Sequence, residues 1–110
     1  MEETQEWFSV QEPTRNETLA VGTSSVVASQ KRALNPGQKR KNIVIRNTSP
    51  NATDTITIAL GFTQAVANNG IVLRQYDTWM DTTESGYECY QGVISAICAT
   101  GTGQLSIFER

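Results

Sequence analysis

Four carboxylates, Asp77, Asp81, Glu84 and Glu88, lie close together in the second half of the chain. A suitably spaced pair of them would supply the acid and the base or nucleophile of a glycosidase. The Asp77–Glu84 stretch also offers oxygen ligands to calcium, but it lacks the spacing and central glycine of an EF-hand loop. Acids spread in this way over a loop and a strand read more simply as a solvated face. The chain contains no histidine, so the usual general base at neutral pH and the commonest metal ligand are both missing. Ser/His/Asp and Cys/His arrangements are therefore excluded. Cys89 and Cys98 do not form a zinc-site pattern. In a chain made in a reducing compartment they read as two small buried side chains without a disulfide. Gly101-Thr102-Gly103 lacks the lysine and following helix of a phosphate loop and reads as a hairpin turn. The expectation is a protein that is not an enzyme and carries no metal or cofactor.

Charge is more informative by segment than in total. The formal net charge is −2. Residues 1–17 hold five acids against the single base Arg15, whereas residues 31–46 hold six bases and no acid. Lys31, Arg32, Lys39, Arg40 and Lys41 flank an Asn35-Pro36-Gly37-Gln38 turn and would form a basic rim suited to an acidic protein surface. Aromatics are not interleaved with these bases, so no nucleic-acid partner is expected. Tyr76, Trp79, Tyr87 and Tyr90 would suit a sugar-stacking platform, but period two places Tyr76 and Trp79 on opposite faces, and packing is the stronger reading. The amino terminus is acidic where a secretory signal is basic and then apolar. No apolar run reaches the roughly 20 residues of a membrane-spanning helix. Synthesis as a soluble cytoplasmic product is expected, without a membrane partner.

The elements that position these groups are strands. Thr55–Gly61 has the cleanest alternation, with Ile56, Ile58 and Leu60 on one face and Thr55, Thr57 and Ala59 on the other. Further strands are predicted at Thr18–Val21, Ser24–Ser29, Lys41–Asn47, Ile71–Leu73, Tyr76–Met80, Tyr87–Tyr90, Val93–Cys98 and Gln104–Phe108. Ile43, Ile45, Leu105 and Ile107 should share the core with the Ile56 face. Asn35–Gln38 suits a type II turn, and Asn68-Asn69-Gly70 a tight turn. Turn signals recur about every 8–12 residues, which predicts an all-β, Greek-key or jelly-roll-like β-sandwich of about eight strands. Residues 18–110 form this domain. Residues 1–17 form an extended N-terminal arm, polar and Glu-rich, with Trp7, Phe8 and Val10 as apolar anchors and Pro13 breaking regular pairing.

Arg40–Asn47, where basic residues lead into Asn-Ile-Val-Ile-Arg-Asn, is followed by a hydrophobic strand closed by Gly61, then Gly70-Ile-Val-Leu73 and a polar turn with Trp79. Tyr90-Gln-Gly92 and the terminal Leu105-Ser-Ile-Phe-Glu-Arg110 complete the series. This order, over about residues 18–110, resembles a small β-sandwich found among virion proteins of tailed bacteriophages, the capsid decoration (cement) and head-associated proteins. The resemblance implies a structural protein on the capsid surface, made in the host cytoplasm. Its partners would be the major capsid protein and further copies of itself, with a trimer favoured by analogy. The interface residues expected on this reading are Trp7, Phe8, Val10, Lys31, Arg32, Lys39, Arg40 and Lys41, with the acidic arm steered to the basic rim of an adjacent copy. A receptor- or glycan-binding spike or fibre head, built on the Tyr76–Tyr90 aromatics, and a head–tail connector component are the alternatives.

Overall fold

The computed structural model describes residues 14–32 and 36–110. Trp7, Phe8 and Val10 lie outside the described residues. Among the described residues, eight strands form two antiparallel sheets. They are β1 (Arg15–Val21), β2 (Val26–Ser29), β3 (Asn42–Asn47), β4 (Ile56–Leu60), β5 (Ile71–Leu73), β6 (Thr78–Thr82), β7 (Ile94–Cys98) and β8 (Gly103–Glu109). One sheet has the order β1-β8-β3-β6 and the other β2-β7-β4-β5. Strands β1 and β8, β2 and β7, β3 and β6, and β4 and β5 each pair antiparallel. That is one long antiparallel ribbon wound so that successive pairs alternate between the sheets, the jelly-roll arrangement of a β-sandwich.

Period-two patterning forms the core. Ile43 and Ile45 of β3, Ile56 and Ile58 of β4, and Leu105 and Ile107 of β8 are all buried in one cluster with Ile94, Ala96 and Cys98 of β7. Leu60 is half-buried against it. The opposite face of β4, with Thr57 and Ala59, is buried as well. The reason is the connection between β4 and β5, which lies across it. The amide of Ala65 donates to Ser25 Oγ at 2.7 Å, and that of Asn68 to Thr57 Oγ1 at 2.9 Å. Gly70 makes this close approach possible. It has φ of +150°, and a Cβ there would sit 2.5 Å from the Ile58 carbonyl oxygen.

Three local expectations differ from the structure. The first strand begins at Arg15, so Arg15, Asn16 and Glu17 belong to the sheet and pair with β8. Pro36–Gln38 form one turn of 3-10 helix, because Gly37 does not take the positive φ that a type II turn needs there. Tyr87–Tyr90 form no strand. Asp81 holds this segment as a loop, its Oδ2 accepting from Tyr87 Oη at 2.8 Å and from the Tyr90 amide at 3.0 Å.

Candidate interface

The predicted basic rim is taken apart by folding. Arg40 is not on the surface: its side chain is 0% exposed. Arg40 Nε donates to Glu109 Oε2 at 2.9 Å, and its terminal nitrogens donate to Ser29 Oγ and to the carbonyls of Gln30, Tyr90 and Gly92. One guanidinium therefore ties β8 to the end of β2 and to the segment before β7, which a planar fork of five donors can do. Gln91 completes the joint, accepting from the Arg40 amide and donating to the Arg40 carbonyl, both at 2.6 Å. Arg32 is half-buried, with its terminal nitrogen 2.7 Å from Glu109 Oε1. Lys39 pairs with Glu88 at 2.6 Å. Lys31 and Lys41 are exposed.

Glu109 is the hub of this cluster, and its side chain is 2% exposed. Oε1 accepts from Arg15 at 3.0 Å, and Ser29 Oγ donates to Oε2 at 2.8 Å. Burial alone pushes the Glu109 carboxyl up. Hydrogen bonds from Ser29, Arg15 and Arg40 and the charge of Arg32 outweigh it, so the group lies below the ordinary carboxylate range. A shift in register between Val27 and Ser29 is what aims Ser29 inward, opposite Ile94. Above the cluster, a cleft of about 480 Å³ is bordered by Arg15, Lys31, Arg32 and Gln38. Arg15, Arg32 and Arg40 all pair with Glu109, although Arg32 Nε is buried without a hydrogen-bond partner, so the cluster acts mainly as a joint between the sheets.

The residue missed at the sequence level is Glu109. Gly103, Leu105, Ile107 and Glu109 share one face of β8, and all are buried. A carboxylate continuing an apolar face two residues after Ile107 was the available signal that a buried cation must meet it.

Exposed apolar side chains collect elsewhere. Phe62 is 67% exposed, Val66 59% and Val72 40%. Phe62 and Val66 border a groove of about 540 Å³ whose other walls include Ile58, Leu60, Gly70 and Ile71. Val72 lies beside it on β5, an edge strand. The four aromatics of the Tyr76–Tyr90 stretch share no single surface, and packing is the use of two of them. Trp79 and Tyr90 pack against the core, whereas Tyr76 and Tyr87 are exposed. Among the described residues no group of three or more His, Cys, Asp or Glu side chains is placed to hold a metal ion.

Cys89 and Cys98 are free and buried. Burial, reinforced by the charge of Asp81, pushes the Cys89 thiol up to about 11. Iodoacetamide at pH 8 is therefore expected to leave both thiols unmodified in the native protein and to alkylate both after denaturation, as read by intact mass. Rapid native alkylation of Cys89 would contradict this burial.

No protein-family model matches the chain, and no curated protein matches it either.

Proposed function

We propose that the chain is a non-enzymatic structural protein of a virion, a capsid cement or decoration protein that binds between major capsid subunits and stabilises the shell. The observation that carries this reading is the apolar surface of Phe62, Val66 and Val72 at the β4–β5 edge. An exposed apolar patch around a groove is suited to a protein partner, and aromatic residues dominate the energetics of such contacts. Edge strand β5 adds main-chain groups to which an extended segment of a partner can pair. The likeness of residues 18–110 to phage head-associated sandwiches supports the same role.

Several weak contacts per oligomer would raise the effective affinity for a repeating lattice. A trimer, taken from the family analogy, matches local three-fold positions. Quantitative mass spectrometry of purified particles tests the role through the copy number relative to the major capsid protein. Hundreds of copies support cement. A dozen or fewer assign the protein to a vertex, connector or spike, and absence removes the virion reading. The surface is tested by Phe62→Asp and Val66→Asp, both at exposed positions outside the core. Each is expected to weaken capsid binding roughly tenfold or more while leaving the fold intact; unchanged binding by both would exclude this patch.

A further inference from the structure

The cleft beside the Glu109 hub has more positive charge around it than the hub neutralises. Arg15, Lys31 and Arg32 border it, and Glu109 is its one carboxylate among the described residues. That carboxylate is already filled. Oε1 accepts from Arg15 at 3.0 Å and lies 2.7 Å from a terminal nitrogen of Arg32. Oε2 accepts from Arg40 Nε at 2.9 Å and from Ser29 Oγ at 2.8 Å. These donors occupy the about four lone-pair sites of a carboxylate. Glu17, paired with Arg15, is the other acid of the cluster. Arg15, Arg32 and Arg40, with exposed Lys31, therefore set four cations against two carboxylates.

Arg32 is the group left short. A single ion pair holds its side chain, and its Nε is buried without a hydrogen-bond partner. A buried N–H in that state is destabilised until an acceptor reaches it. Glu109 has no further acceptor to offer. The Arg32 side chain is 22% exposed and lies outside the hydrophobic cluster, so its fork turns toward a ligand by breaking one ion pair.

We propose that this cleft binds a small, doubly charged oxyanion, a phosphate or phosphomonoester, held by Arg32, Arg15 and Lys31. Charge selects the ligand class. Two positive charges are in excess, and a phosphomonoester carries about −1.5 to −2 near neutral pH. Geometry agrees, since a guanidinium presents a fork to phosphate oxygens and lysine a point charge. Binding also supplies the acceptor that Arg32 Nε lacks. At about 480 Å³ the cleft falls within the roughly 300–1,000 Å³ of small-molecule sites, and Val27 and Ala28 give an apolar wall for the rest of an ester. Among the described residues no aromatic side chain lines it, so a nucleic-acid base has nothing to stack on. The site shares no residue with the Phe62–Val72 surface, so it stands or falls independently of the capsid role.

The test is a titration of the 15N-labelled full chain, followed by 1H–15N correlation spectra in HEPES buffer at constant ionic strength. Inorganic phosphate and glycerol phosphate are the probes, and acetate is the singly charged control. The expected result is saturable shifts of the Lys31 and Arg32 amides and of the Arg32 Nε–H signal with phosphate, and none with acetate. The Nε–H signal is identified by its loss in Arg32→Gln. Lys31→Ala, at an exposed position, should weaken phosphate binding roughly fivefold, and Arg32→Gln roughly tenfold or more. Dispersion of the same spectra reports whether each variant is folded. Tighter binding of glycerol phosphate identifies an ester as the ligand, and equal or weaker binding identifies the free ion; both support the site. Absence of saturation at millimolar phosphate overturns the proposal, as do equal shifts with acetate. Unchanged affinity in folded Lys31→Ala also overturns it, because the anion then sits elsewhere.

Discussion

A chain lacking Gln104–Arg110 is expected not to fold. β8 is an inner strand, hydrogen-bonded to β1 on one side and β3 on the other. Among the described residues β1 has no other strand partner, so removing β8 strips one sheet to the β3–β6 pair. The core loses Leu105 and Ile107, both essentially inaccessible to solvent. Truncating a single side chain of this kind costs about 2–5 kcal/mol, against a total stability of about 5–15 kcal/mol for a domain. Losing two of them with Glu109 and both ladders exceeds what the remaining strands can hold. Thermal denaturation followed by circular dichroism should show no cooperative transition. A truncated chain that melts cooperatively near the temperature of the full chain would show that β8 is dispensable.

Glu109→Gln is expected to destabilise the fold by about 3–5 kcal/mol, the usual consequence of removing one partner from a buried ionic cluster. The substitution keeps the shape and one acceptor. It leaves the guanidinium of Arg40 in the interior without its carboxylate partner and beside Arg32, while Arg15 retains only its exposed pair with Glu17. The pH dependence separates this cause from lost packing. The folded Glu109 carboxyl lies below its ordinary value, so its contribution is complete above the unfolded pKa of about 4.3. It is lost as the pH falls through the folded value. The full chain should therefore lose stability below about pH 4, and Glu109→Gln should lose correspondingly less over that range. Urea melts at pH 7 and at pH 3 measure both terms. Equal stability of the two proteins at pH 7 would mean that the ionic hub contributes nothing.

Much of this β-sandwich was legible because its signals are local. Alternation over Ile56–Leu60, and the same period at Ile43/Ile45 and Leu105/Ile107, determined which faces turn inward, since successive side chains of a strand point to opposite sides whatever its neighbours are. The turn residues between those runs then set the number of strands to within one. Tyr87–Tyr90 was the extra one, and the local pattern had no access to Asp81, whose carboxylate holds that segment as a loop. What chemistry the basic residues do was decided by the tertiary structure. Arg40 and Lys41 are adjacent and alike in sequence, yet Arg40 is buried and Lys41 exposed. The carboxylate that draws Arg40 inward is 69 residues away along the chain, and Glu109 meets Arg15 across 94. By itself the sequence determined the strands, the core and the separation of acidic and basic segments. Only the wound ribbon, which makes the first strand and the last into neighbours, decided that part of the basic segment is an internal joint, because burying a charge requires partners that local sequence does not contain.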